Sequence, residues 1–253
     1  MRQLIAVSAL AAVAVVSVQA NAATPKENFI TVCEAGMKKE PLSDGSLRTS
    51  VATVAAIKAA TGKEACGVAW TAATTATSLD LSGKSVTDIS MLKNFSKLTS
   101  LNISGNEISD LSALGGLTGL TDLDASSNKV SDVSALGSLT ALTKLNLAKN
   151  QITDIAALST LTALKELRLN DNQIVKVAPL TSIKGLKKLF LSSNKVENLA
   201  PLAKSKKLVE LAVRNNPVKN CPDKGKLEIK GKEIENTEVL QTVCKDEAYK
   251  KGN

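Results

Sequence analysis

The chain has no histidine, and among its 253 residues are one tryptophan, one tyrosine and three phenylalanines. Without imidazole, the usual Ser–His and Cys–His pairs that activate a nucleophile are unavailable. The acidic residues recur at fixed intervals instead of converging as a general acid–base pair. There is also no glycine-rich phosphate loop and no Walker-type lysine. The composition therefore argues against an enzyme, and no cofactor is expected. Scarce aromatics remove the stacking platforms that single-stranded nucleic acid needs, so no nucleic-acid partner is expected either. The four cysteines include no Cys-x-x-Cys spacing, which with the missing histidine leaves no ligand set for a structural zinc, and no metal site is predicted.

Long apolar runs are equally scarce. Residues 1–22 carry Arg2, an apolar stretch from Leu4 to Val18 and the small-residue pattern Ala20, Asn21, Ala22. That combination reads as a cleavable export signal. The stretch falls short of the roughly 20 residues that span a bilayer, and no later segment is long enough, so no transmembrane segment is expected. The mature chain is read as exported, to a periplasm or the cell exterior. It has 31 basic and 24 acidic residues; Ala23 to Ile183 holds 15 of each sign, whereas Lys184 to Asn253 holds 16 basic against 9 acidic. A lysine-rich C-terminal region can adhere to an anionic envelope polymer or lipid surface by long-range, salt-sensitive attraction. It can equally be a well-solvated end.

What the chain has in abundance is repetition. Leu98, Leu120, Leu142, Leu164, Leu186 and Leu208 are spaced by 22 residues, and so are Asn106, Asn128, Asn150, Asn172, Asn194 and Asn216. Aligned copies read LTSLNISGNEISDLSALGGLTG, LTDLDASSNKVSDVSALGSLTA, LTKLNLAKNQITDIAALSTLTA, LKELRLNDNQIVKVAPLTSIKG and LKKLFLSSNKVENLAPLAKSKK. A degenerate copy precedes them, and LVELAVRNNPVKN follows. Their shared pattern, LxxLxLxxNxIxDIxxLxxLxx, resembles the leucine-rich-repeat family, in the 22-residue subclass found in bacterial internalins and in phosphatase-binding eukaryotic relatives. The resemblance covers residues 77–219. It implies an α/β leucine-rich-repeat solenoid: a curved right-handed superhelix with a parallel β-sheet on the concave face, short turns and 3-10 segments on the convex face, and a helical N-terminal cap. No segment reads as the immunoglobulin-like extension that follows the repeats of internalins, which argues against an invasion role.

Elementary patterning leads to the same architecture. Leu145, Asn146 and Leu147 alternate as a short strand with two inward residues around an outward one. Ile152, Ile155, Leu158 and Leu161 bring the chain back along the other side. A single copy buries too little to offset the ordering of its own backbone, so neighbours must stack and the ends need protection. The repeated asparagine is read as an inward structural ladder that supplies donors and an acceptor to backbone groups where the strand turns out of the sheet. Asp88, Asp110, Asp132 and Asp154 recur once per turn and are read as caps of the turn that follows. A calcium array along that row is opposed by Lys176 and Asn198 at the later positions.

The cysteines flank the repeats. Cys33 and Cys66 precede them, Cys221 and Cys244 follow, and in an oxidising compartment an even number reads as disulfides. Pairing Cys33–Cys66 and Cys221–Cys244 clamps each terminal cap, whereas other pairings bridge opposite ends of a solenoid; cysteine-clamped caps in secreted leucine-rich proteins point the same way. The expected organisation is a signal segment at 1–22, a helical cap at 23–76, repeats at 77–219, and a C-terminal cap with polar tail at 220–253. Within the first cap, helices are predicted over Ser43 to Ala60, behind Ser43 and Asp44 as caps, and over Glu64 to Ala73. A further helical segment is predicted over Asn236 to Cys244.

Function then falls to the outward side chains of the sheet. The first row, Ser100, Asp122, Lys144, Glu166, Lys188 and Glu210, alternates in sign and is read as largely self-neutralising. The second row contains Asp124, Asn146, Arg168, Phe190 and Ala212. Phe190 lies between Leu189 and Leu191, so alternation turns its ring outward beside Arg168, and aromatic and arginine anchors typify binding hot spots. Phe190 and Arg168 are the leading contact candidates, with Asp124, Asn146, Asn170, Lys188 and Arg214 behind them. The alternative is that the ring merely packs over Ala212 and nearby aliphatic stems. The expected function is recognition of a protein partner, in adhesion, recognition or inhibition, through the concave face. A second expectation is a cell-envelope spacer held to anionic polymer or lipid by its basic C-terminal region.

Overall fold

A computed structural model describes residues 24–38 and 46–219. The export segment, the Cys221–Cys244 pair and the Asn236 to Cys244 helix lie outside the described residues. Three helices come first: α1 (Pro25–Lys38), α2 (Ser46–Thr61) and α3 (Cys66–Thr75). α2 and α3 start two or three residues beyond the expected positions, and the capping candidates Ser43 and Asp44 lie outside the described residues. α1 was not anticipated, although a capping box starts it. Thr24 N–H donates to Glu27 Oε2 at 2.7 Å, Glu27 N–H donates back to Thr24 Oγ1 at 3.3 Å, and Pro25 takes the first helical position.

The three helices close the first turn of the repeat array. Cys33 of α1 is bonded to Cys66 of α3, with Cα atoms 5.9 Å apart. Trp70 sits between Phe29 and Phe95, at centroid distances of 5.2 and 5.5 Å. Phe95 belongs to the first repeat, so this aromatic stack joins cap to array. Buried Thr53 of α2 donates its hydroxyl to the Asp88 carbonyl across the same boundary.

Seven three-residue strands then follow at 22-residue intervals: β1 (Ser78–Asp80), β2 (Ser100–Asn102), β3 (Asp122–Asp124), β4 (Lys144–Asn146), β5 (Glu166–Arg168), β6 (Lys188–Phe190) and β7 (Glu210–Ala212). They form one parallel sheet in chain order. Each strand pairs with the next without slippage, so Leu145 stands opposite Leu123 and Leu167. Between strands the chain returns through short 3-10 turns such as Ser134–Ser138 and Ala156–Thr160. The inward leucine, isoleucine and valine side chains are buried, and neighbouring turns share one continuous core. This is a solenoid, in which each turn is stable only because its neighbours cover its two faces.

Polar groups inside the turns are closed by the repeated asparagine. Asn150 Nδ2 donates to Ala125 O at 3.0 Å and Leu147 O at 3.1 Å, and its Oδ1 accepts from Val130 N–H at 3.0 Å. Two of those three partners belong to the preceding turn, so each asparagine stitches its own repeat to the one before. Asn106, Asn128, Asn172, Asn194 and Asn216 make the equivalent set. The residue before each ladder asparagine turns left-handed: Gly105, Ser127, Lys149, Asp171, Ser193 and Asn215 all have φ near +60°. The aspartates of the convex side accept from the first N–H of the 3-10 turn, Asp132 from Ser134 at 2.8 Å and Asp154 from Ala156 at 2.9 Å. Asn198 does the same for Ala200 at 2.9 Å without a charge.

Candidate interaction surface

The solvent-facing side of the sheet carries three rows, each contributed by one position of every repeat. In the first row, strand register sets Asp122, Lys144, Glu166, Lys188 and Glu210 side by side. Their ionic partners do not simply alternate along the row. Lys144 Nζ is 3.5 Å from Asp122 and Lys188 Nζ is 2.9 Å from Glu210, but Glu166 is held at 2.8 Å by Arg168 Nε of its own strand. The hydrogen bond from Lys188 to Glu210 raises the lysine pKa above its usual value. The bond from Arg168 to Glu166 joins the first row to the second.

The second row divides into two halves. Asp80, Asn102, Asp124 and Asn146 turn a side-chain oxygen back onto the N–H two residues on, where the chain leaves the sheet. Asp124 also accepts from Ser126 Oγ at 2.6 Å and from Asn146 Nδ2 at 2.9 Å, so both of its oxygens are engaged. The Ser82 N–H and hydroxyl hold the Asp80 carboxyl below its ordinary pKa. These side chains are part of the strand exit. From β5 onward the position is Arg168, Phe190 and Ala212, none of which can cap in this way. At β6 the lost cap is replaced from the neighbouring turn, because Ser192 N–H donates to Asn170 Oδ1 at 3.0 Å.

Freed from that duty, Arg168 and Phe190 meet. The guanidinium carbon lies 4.4 Å from the ring centroid, within range of a cation–π contact. Phe190 is half-buried and Arg168 is exposed, so the ring is roofed by the arginine as well as flanked by Ala212. A shallow trough of about 260 Å³ runs along β2 to β5 and ends at Arg168. Its lining includes Asp124, Asn146 and Arg168 from the predicted set. Asn102, Asp122, Lys144 and Glu166 also line it and were not among the predicted contacts, although strand register aligns them in the first two rows. Phe190, Asn170, Lys188 and Arg214 lie outside it; Arg214 is exposed, two residues beyond Ala212 of β7. Among the described residues, no group of three or more acidic or cysteine side chains is placed to hold a metal ion, and no helix is long and apolar enough to cross a membrane.

Comparison with known proteins agrees with this geometry. The family described as "Leucine Rich repeats (2 copies)" matches in five overlapping stretches: residues 77–116, 96–139, 118–160, 140–182 and 162–204. No curated protein sequence matches the chain. Among solved structures, internalin C2 of Listeria monocytogenes aligns over 72% of this chain and 91% of its own, with 28% identity and a TM-score of 0.63. An internalin of the same organism, InlF, aligns over 68% of this chain and 74% of its own, with 24% identity and a TM-score of 0.43. By its repeats and their register, this chain belongs to the leucine-rich-repeat family and is a protein-interaction module.

Proposed function

We propose that the protein is exported and recognises a protein partner through the concave face of its sheet, with Arg168 and Phe190 as the anchor. One observation carries this reading: where Asp80, Asn102, Asp124 and Asn146 of the second row turn back onto their strand exits, Arg168 and Phe190 instead form a cation–π pair, with Arg168 at the end of the trough. Arginine and aromatic side chains are enriched among the few residues that carry most of an interface's binding energy. Arg168 uses Nε on Glu166, which leaves the ends of the guanidinium fork for a carboxylate of the partner. Lys188 and Arg214 extend the cationic side of the patch, whereas Asp124, Asn146 and Asn170 act mainly by holding the strand exits in place. The disulfide between Cys33 and Cys66 favours an oxidising compartment, periplasmic or extracellular, in keeping with an export signal.

The test is capture of partners from envelope and culture fractions by the oxidised mature protein, beside a Phe190→Ala, Arg168→Ala double variant. Neither side chain is in the core, so the variant should fold. A protein retained by the wild type in high salt and lost from the variant supports the reading. Equal recovery by both proteins overturns it.

A further inference from the structure

We propose that the rim formed by the turns entering β5, β6 and β7 is a binding strip for a linear polyanion, a polymer chain bearing phosphate groups along its length. The strip consists of Lys165, Lys184, Lys187, Lys206 and Lys207, all exposed. Lys187 N–H donates to Lys165 O at 2.8 Å, which stacks these two residues in adjacent turns. Lys184 and Lys206 hold equivalent places in successive turns, 22 residues apart. Neighbouring turns are about 4.8 Å apart, so Lys165 and Lys187 form one column of the rim, Lys184 and Lys206 form a second, and Lys207 follows Lys206 directly. Among the described residues, none of the five has a carboxylate within ion-pair distance; Lys184 Nζ instead donates to Thr181 O at 2.8 Å.

The same rim in the earlier turns shows what these lysines replace. Thr99, Thr121 and Thr143 donate their hydroxyls to the carbonyls of Thr77, Thr99 and Thr121, at 3.1, 3.0 and 3.2 Å. Lys165 and Lys187 take the next two places and end that hydroxyl ladder. Thr118, Thr140 and Thr162 likewise give way to Lys184 and Lys206, and Ala141 and Ala163 correspond to Lys207. Exchanging a bonded hydroxyl for stacked like charges weakens the fold locally, and a local rule broken without structural return marks a functional position. The charge count agrees: residues 184–219 hold nine basic and two acidic side chains, whereas 220–253 hold seven of each. The basic excess of the C-terminal region therefore belongs to the last repeats.

The chemistry of the strip selects the partner class. Lysine ammonium groups are point charges on flexible stems and follow a chain of phosphates without demanding bidentate geometry. No aromatic side chain lies in the strip to stack on bases. The large exposed apolar residues of the described chain, Val68 and Val175, lie elsewhere, so the strip has no side chain to insert into a bilayer.

Long-chain inorganic polyphosphate is the probe, titrated into the mature protein across a range of salt. The wild type should bind with a slope of log affinity against log salt of about −3 to −4, the value for five contacts to a flexible single-stranded polyanion. Lys165→Thr, Lys184→Thr, Lys187→Thr, Lys206→Thr and Lys207→Ala together restore the residues of the earlier turns, so this variant should fold at least as well as the wild type. It should lose at least about tenfold in affinity at low salt and most of the slope. A control in which Lys63, Lys84, Lys93 and Lys176 become glutamine should keep both. The Phe190→Ala, Arg168→Ala variant should also bind polyphosphate normally, which keeps this site separate from the concave one. Equal losses in strip and control variants, absence of binding, or binding to phosphatidylglycerol vesicles without binding to polyphosphate would each overturn the proposal.

Discussion

Phe95 and Ser205 stand at the same place in the first and last turns of the array, five repeat lengths apart, and both are buried. In the turns between them the position is Leu117, Leu139, Leu161 and Ile183. At the first turn the larger ring reaches Trp70 of the cap, edge to face. At the last turn the side chain shrinks, and among the described residues the Ser205 hydroxyl has no hydrogen-bond partner. An unpaired buried hydroxyl costs about 1–3 kcal/mol.

Ser205→Leu should therefore stabilise the protein by about 1–3 kcal/mol, since it removes the orphan hydroxyl and restores apolar contact. Phe95→Ala should destabilise it by about 3–5 kcal/mol, through cavity formation at the junction of cap and array. Urea midpoints at constant slope measure both. A lower midpoint for Ser205→Leu would show that the last turn has no room for the longer side chain.

The asparagine ladder predicts a gradient of effects. Asn150→Ala strands Val130 N–H away from water and removes one of two amide donors from each of the Ala125 and Leu147 carbonyls, which keep Asn128 and Asn172, and should cost about 1–3 kcal/mol. Asn216 makes the same bonds but is only half-buried, so Asn216→Ala should cost clearly less. If the two losses proved equal, burial would not be what gives the ladder its strength.

Much of this was readable in advance because a strict 22-residue period fixes which side chains share a column. The inward leucines, the strand register and the outward rows at Lys144, Asn146 and their equivalents all follow from period and alternation. Rotamers and local backbone do not follow from period. That is why Asp124 and Asn146 read as open contact residues, when each turns back onto the N–H two residues ahead. It is also why Glu166 was grouped with lysines across the sheet while its partner is Arg168 on the same strand. Helix α1 was legible as well: Thr24 to Glu27 is a capping box, and Phe29, Cys33 and Met37 follow it at helical spacing.

Left-handed residues before the ladder give a test of backbone strain. Lys149 has φ of +57°, a conformation in which its Cβ crowds the following carbonyl at a cost of about 1–2 kcal/mol. Glycine escapes that crowding but loses about 0.5–1 kcal/mol in chain entropy. Lys149→Gly should therefore be neutral to stabilising by up to about 1 kcal/mol. Lys149→Val should be destabilising, because a β-branched side chain tolerates positive φ worst. Thermal midpoints of the pair decide it, and a stabilised valine variant would contradict the assigned backbone.

Stability should be nearly independent of pH between about 5 and 8, since with no histidine no side chain has its unperturbed titration there. The acid limb belongs to carboxylates that accept hydrogen bonds in the fold. Asp132 and Asp80 have lowered pKa values, chiefly because the Ser134 and Ser82 N–H groups bond their charged forms, and Glu107 is lowered by its bond to Lys129. A lowered folded-state pKa means the unfolded chain binds more protons, so this stability is present above the unfolded value of about 4 and is lost as pH falls through the folded one. Lys188, raised by Glu210, has the opposite sign: its contribution holds below about 10.5 and disappears as pH climbs beyond it. Asp132→Asn should keep the turn capped, as Asn198 does naturally, while reducing the acid-dependent loss. Urea midpoints from pH 2.5 to 7 for the two proteins test this: the variant's curve should be flatter below about pH 4 and parallel above it. A step between pH 5 and 8 in either protein would mean that some other group, strongly perturbed, governs stability.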